Sequence, residues 1–241
     1  MKKTPFQSVL TRIDVRARLI HQKCEEIRIL YGSGDIIGAY DEALKLEEVS
    51  EHLTLFARAL PAYTGNPNAD YDVKNLMKEL IPVEIGFTEE GWFSVRIPML
   101  LPKKAHGSAD YVRSFLYPAM QTFFEGKSSV RYRDCVLIYR HVYDINRPER
   151  KMRDHDNIEI NMVSDIIALY VMPDDGPEVC SHYYCSAAGT KERTEVYVVP
   201  KNEFWNWLKS ENNMPEEGAI LYENTKKSPE NLMSKEAKTT P

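Results

Sequence analysis

Residues 154–175 read Asp154-His155-Asp156-Asn157, then IEINMVSDIIALYVM, then Pro173-Asp174-Asp175. Asp154 and Asp156 alternate in an extended segment, so their side chains can point the same way. The spacing predicts a helix over about Asn157–Tyr170, with Ile158, Met162, Ile166 and Leu169 as its apolar stripe. Asp165 is seven residues from Ile158 and falls on or beside that inward stripe. A carboxylate there is costly unless it is paired, hydrogen-bonded or bound to a cation. The Asp174-Asp175 turn precedes a strand that could return along the sheet and bring one of these carboxylates near Asp154 and Asp156. Clustered carboxylates repel one another, and a hard cation such as magnesium offsets that repulsion with oxygen ligands. Each feature alone has a simpler explanation. Asp156 with Glu159 has capping-box spacing, Asp174-Asp175-Gly176 is a turn, and Asp165 could pair with an arginine. Their joint order within one strand–loop–helix–turn–strand unit is what points to a site.

Upstream of this stretch the charge changes sign. Lys127 to Arg153 holds eight basic residues (Lys127, Arg131, Arg133, Arg140, Arg147, Arg150, Lys151 and Arg153) against three acidic ones. Most basic runs are only solvated faces, but this one directly precedes the acidic segment, in a chain whose formal charge is -5. Arg131–Tyr143 is β-branched and aromatic and reads as a long strand. Before it, Val83–Phe87 and Trp92–Ile97 flank the turn Thr88-Glu89-Glu90-Gly91 as a β-hairpin. The basic loop Pro102-Lys103-Lys104 and a helix over about Asp110–Glu125, with Pro118 inside it, come next. After the acidic segment, strands are expected at Glu178–Ser186 and Thr194–Val199, then a closing helix at Pro200–Leu208 with Phe204, Trp207 and Leu208 turned inward.

The first 81 residues have a different period. Val9, Ile13, Ala17, Ile20, Cys24, Ile27 and Tyr31 recur at steps of three and four, as in an amphipathic helix. Gly32-Ser33-Gly34 breaks it, and Asp35 is a candidate N-cap for a second helix with Ile36, Tyr40, Ala43, Val49, Leu53, Phe56 and Leu60 on one side. A short helix over about Asp72–Leu80 follows. No catalytic pattern appears here, so residues 1–81 read as a helical appendage, 82–209 as an α+β core and 210–241 as a polar, disordered tail.

No apolar run approaches the roughly 18 residues of a membrane span, and no apolar h-region follows the charged start. The cysteines Cys24, Cys135, Cys180 and Cys185 form no C-x-x-C pair, which fits reduced thiols and a cytoplasmic protein. Alternation puts Cys180 and His182 on one strand face and Cys185 on the other, a poor zinc set. No glycine-rich phosphate loop is present, so a nucleotide cofactor has no support.

The ordered set Asp154-x-Asp156-Asn157, a helical Asp165, then Asp174-Asp175 before a strand resembles the signature of the RusA-type Holliday-junction resolvases over about residues 92–200. The resemblance implies a RusA-like small mixed sheet with two core helices, beside the N-terminal helical hairpin. It also implies a homodimer that hydrolyses phosphodiesters of branched DNA with magnesium. By position, Asp154, Asp156 and Asp175 would be the catalytic residues and the magnesium ligands. Lys103, Lys104, Arg131, Arg133, Arg147, Lys151 and Arg153 would hold DNA phosphates. One departure matters. The family has a lysine on the first turn of the helix after D-x-D-N, whereas this chain has Ile158-Glu159-Ile160-Asn161. With Asn161 in that place the charge is missing, which leaves a non-catalytic DNA- or protein-binding module as the rival expectation.

Overall fold

Thr4-Pro5 starts the first helix. The Thr4 hydroxyl accepts the Gln7 amide at 3.2 Å and the Gln7 side chain accepts the Thr4 amide at 3.0 Å, a reciprocal cap with proline at the first helical position. In this computed structural model, which describes residues 3–104, 107–127, 130–146 and 155–224, helix α1 spans Pro5–Gly32 and α2 spans Ile36–Ala59. Asp35 caps α2 by accepting the Gly38 amide at 2.9 Å. The chain divides into two units. The first comprises the residues up to Met77 with Lys104–Ser114. In it α1 packs along α2: Lys23 meets Glu42 at 2.5 Å, and the Arg16 guanidinium lies 4.5 Å from the Phe56 ring centre.

The seam between the two helices is narrower than the apolar spacing predicts. Val9 and Ala39 are the buried residues of α1 and α2, while Ala17, Tyr31, Ile36, Tyr40 and Ala43, all expected inside, are exposed. A two-helix hairpin has too little opposing surface to cover a full apolar stripe, so only its inner line is shielded. The third helix, α3, spans Ala69–Leu80.

The second unit comprises Lys78–Lys103 and the chain from Phe115 onward. Its five strands among the described residues are β1 Glu84–Phe87, β2 Phe93–Ile97, β3 Cys135–Asp144, β4 Cys180–Gly189 and β5 Arg193–Pro200. They form one mixed sheet in the order β1-β2-β5-β3-β4. Every neighbouring pair is antiparallel except β3 and β4, which run parallel with Cys135 opposite Cys180 and Asp144 opposite Gly189. Together with six α-helices among the described residues, this makes a mixed α+β architecture.

Alternation along the strands fills both faces. On one, Trp92, Val136, Ile138, Tyr197 and Val199 cluster round Trp207 of helix α6, Phe204–Glu211, with Tyr183 and Phe204 against them. On the other, Phe93 meets Phe123 and Phe124 of helix α4, Ser108–Phe124. Phe124 stacks at 5.2 Å on Tyr170 of helix α5, Asn161–Val171. A parallel β3–β4 pair cannot be joined by a tight turn and needs a crossover, and α5 is that crossover.

Two expectations are corrected. The helix of the acidic segment begins at Asn161, because Ile158 is spent in a backbone bridge to Lys103 and Glu159 donates its amide to Pro102 at 2.9 Å. Its N-cap is Ile160, which makes no side-chain capping bond; Asp156 lies outside the helix, and the Glu159 carboxylate accepts the Met162 amide at 3.3 Å. With the start shifted, the buried face is Val163, Ser164, Ile166, Ile167, Ala168 and Val171, and both Leu169 and Asp165 are exposed. The stretch after residue 210 is not all tail. Tyr222 and Phe87 exchange both amide–carbonyl bonds at 2.8 Å, laying the chain along β1. Residues 225–241 lie outside the described residues.

Buried charge concentrates behind β5. Glu195 is fully buried and accepts from Arg140 at 3.0 Å, Arg193 at 2.6 Å and the Tyr197 hydroxyl at 2.8 Å. The returning chain closes over this network: Arg96 donates to the Ala219 carbonyl and Arg193 to that of Glu216. At Gly218, φ is +86° and a Cβ would sit 2.7 Å from both Arg96 and Glu195, so only glycine fits.

Candidate functional site

The β3–α5–β4 crossover carries polar groups at both ends of its parallel strand pair. At the end where the strands begin, the chain leaves α5 through Pro173-Asp174-Asp175. Arg131 caps that end of the helix, donating to the carbonyls of Ala168 at 3.4 Å, Leu169 at 3.3 Å and Met172. A guanidinium is favoured there by the negative end of the helix dipole. Arg131 is thus committed to protein carbonyls rather than standing free for phosphate. Asp165, Asp174 and Asp175 line the same open groove with Arg131, Ala168 and Leu169.

Within that groove Asp165 and Asp175 come together. Desolvation by the surrounding protein, although the side chain as a whole is exposed, and then the neighbouring Asp175 carboxylate, raise the Asp165 pKa above the ordinary aspartate range. Glu159 adds to the same field. Beside them, Cys180 and Cys135 face each other as register partners. The Cys135 thiol, and after it His182, lower the Cys180 pKa, while the Cys135 sulfur itself lies 3.4 Å from the Met172 sulfur and 3.6 Å from the Val179 carbonyl. Cys180 in turn raises the pKa of His182, and Asp175 adds to that effect.

At the other end stands His155, in the 3-10 turn His155–Asn157. Its Nε2 lies 2.9 Å from the Ser186 hydroxyl. Its ring stacks on His141 at 5.4 Å and on Tyr184 at 5.9 Å. Tyr139, fully buried, continues the row by stacking on Tyr184 at 5.6 Å, and its hydroxyl meets Ser164 at 2.8 Å. His155 is therefore seated near Ser186, whereas Asp175 acts on His182, four residues earlier on β4. At ~3.3 Å per residue this is about 13 Å of strand.

Asp175 is exposed at the helix exit, next to Asp165. Asp154, Arg147, Lys151 and Arg153 lie outside the described residues, and of Asp156 only the backbone is described. Lys103 is half-buried and tied to the acidic segment through its bridge to Ile158; Lys104 is exposed and belongs to the first unit; Arg133 is exposed. Among the described residues no group of three or more His, Cys, Asp and Glu side chains could hold a metal ion. Sequence reading missed the ring row Tyr139–Tyr184–His155–His141 and the Cys135–Cys180 pair. The signal was the alternation His182, Tyr184, Ser186 against Leu137, Tyr139, His141, legible only once β3 and β4 are known to run parallel in register.

A model of a family of unknown function, DUF6100, matches residues 2–225. The chain belongs to DUF6100. No curated protein and no solved structure matches it. In this DUF6100 member, no helix among the described residues is long and apolar enough to cross a membrane.

Proposed function

We propose that this DUF6100 chain is a RusA-like protein of nuclease descent that acts on branched DNA through a magnesium site in the β3–α5–β4 crossover. The observation that carries the reading is that Asp165 and Asp175 line one groove at the exit of α5, where desolvation and then the Asp175 carboxylate raise the Asp165 pKa. Two carboxylates held together in this way carry repulsion that a hard cation relieves, and oxygen donors are the set magnesium takes. Asp175, with Asp154 and Asp156, would hold the ion. Bound there, magnesium would supply Lewis-acid stabilisation of charge on a phosphodiester. The chain's own contribution is positional: α5 and its Arg131 cap fix the Asp174-Asp175 turn, and the Ser186, His141 and Tyr184 contacts fix His155, which lies between the two motif aspartates in sequence. Lys103, bridged to Ile158, and Arg133 would meet DNA phosphates, a salt-sensitive and sequence-independent contribution.

The second reading is a non-catalytic RusA-fold module that binds DNA or protein. It is favoured by the exposed Asn161 on the first turn of α5, where the family lysine would stand, and by the length of strand between the His155 seat and Asp175. A missing cation beside the reacting phosphate is worth about 10²–10³ in rate. The test is a synthetic four-way junction with and without magnesium. Wild type should bind with a steep salt dependence and cleave slowly. Asn161→Lys should raise magnesium-dependent cleavage while barely changing affinity, and adding Asp175→Asn should abolish the gain. Junction binding with no cleavage by either the wild type or the Asn161→Lys variant would select the second reading. No junction binding at low salt would remove DNA from both.

A further inference from the structure

The chain treats the two edges of its sheet differently. β1 is four residues long, carries Glu84, and has Tyr222 of the returning chain paired at Phe87. β4 is ten residues long, and Cys180-Ser181-His182-Tyr183-Tyr184-Cys185-Ser186-Ala187-Ala188-Gly189 contains no Lys, Arg, Asp, Glu or Pro. It is the last strand in the order, and among the described residues no strand pairs with its outer side. Long edges free of charge and proline are templates for another strand, and monomeric proteins blunt them with those very residues or cover them. One edge here is paired by the chain itself at Phe87; among the described residues the other has neither guard.

We propose that β4 is a self-association edge, at which two copies pair antiparallel about a two-fold axis through Tyr184 and merge their five-stranded sheets into one. Backbone groups along the edge demand a strand as occupant, and the composition of β4 fits a second copy of itself. In that register Ser181 faces Ala187, His182 faces Ser186 and Tyr183 faces Cys185 across the axis, so His182 meets a hydroxyl and the bulky Tyr183 ring meets a small side chain. Tyr184 faces its own counterpart, an aromatic cross-strand pair. A strand without Lys, Arg, Asp or Glu offers little to select a charged foreign peptide. Ser181, His182, Ser186 and Ala188 are exposed, so the approach is open. The resulting interface is isologous and closes after two copies. The inference stands on the edge alone and does not rest on the nuclease reading: DNA and metal play no part in it or in its test.

Sedimentation equilibrium of the full chain at neutral pH, without DNA or divalent ions, should show a reversible dimer. The double variant Ser181→Lys, Ala187→Lys sets two lysine pairs across the axis and should weaken association at least about tenfold, with an unchanged circular dichroism spectrum. The matching Ser181→Glu, Ala187→Glu variant should also dissociate, and an equimolar mixture of the two should re-form a heterodimer. A ten-residue peptide with the β4 sequence should compete with the wild-type dimer, and a scrambled peptide should not; that arm needs no variant to fold. A monomer at all concentrations, a dimer indifferent to the lysine pairs and to the peptide, or failure of the mixture to associate would each overturn the proposal.

Discussion

Replacing Glu195 by Gln takes one negative charge from a site that keeps its two guanidinium groups. The Glu195 side chain is fully buried, and those of Arg140 and Arg193 are 9% exposed each. The carboxylate accepts Arg140 at 3.0 Å and Tyr197 on one oxygen and Arg193 at 2.6 Å on the other. An amide of the same shape can accept on one oxygen only and turns an N–H donor toward one of the cations. Removing one member of a buried ion pair costs ~3–5 kcal/mol, because the remaining charge stays buried without compensation. With two stranded cations the upper half of that range is expected. At a urea slope of ~2 kcal/mol per molar, the midpoint should fall by about 2 M. Tryptophan fluorescence is the suitable signal, since Trp92, Trp205 and Trp207 all belong to the sheet unit. Replacing Glu195, Arg140 and Arg193 together by Met should recover most of the loss, as no ion of this trio is then left unpaired. A midpoint shift for Glu195→Gln below about 0.5 M, or roughly 1 kcal/mol, would refute the reasoning and mean that water reaches the arginines.

Asp165 gives the opposite sign. Its folded pKa is raised, so the ionised group weakens the fold as pH rises through the aspartate range, and below the unfolded value of ~4 the effect vanishes. Asp165→Asn should therefore raise the melting temperature at pH 7 and leave it unchanged near pH 3; a loss at pH 7 would show the Asp165 charge to be favourable as it stands. The Cys180 sulfur is held toward the thiolate by the Cys135 thiol and by His182. Its alkylation-rate profile, followed by mass spectrometry, should move to higher pH in Cys135→Ala. An unmoved profile in that variant would exclude the influence of Cys135 on Cys180.

The hairpin β1–β2, the α4 helix with Pro118 inside it and the two long N-terminal helices were legible in local sequence, because turn residues and apolar period coincide there. The phase of α5 was not. Ile158 continues the 3.6-residue period of the helix but is buried by a bridge to Lys103, fifty-five positions away, and no local pattern announces a long-range bridge. The fate of Arg131 was hidden for the same reason: a basic residue before a strand looks like a solvated cation until a helix C-terminus is placed beside it. Residues after 210 read as a polar tail because Asn212, Asn213, Glu216 and Glu217 are polar. Yet Gly218 and Tyr222 dock through backbone groups and a positive φ, which composition does not record. Of the acidic site, the order of the carboxylates was in the sequence; the pairing of Asp165 with Asp175 emerged only from the exposed, not inward, side of α5.

The position of β5 between β2 and β3 sets the order in which the protein can be made. It is the last of the strands to leave the ribosome, yet both halves of the sheet depend on it. Until Pro200 emerges, the nascent chain holds only the β1–β2 hairpin and the β3–α5–β4 unit, two-stranded pieces that are marginal in water. At a synthesis rate of ~5–20 residues per second, Ile97 waits roughly 5–20 s for its partner Thr194. During that wait the inner edges of β2 and β3, apolar along most of their length, face water or a chaperone instead of β5.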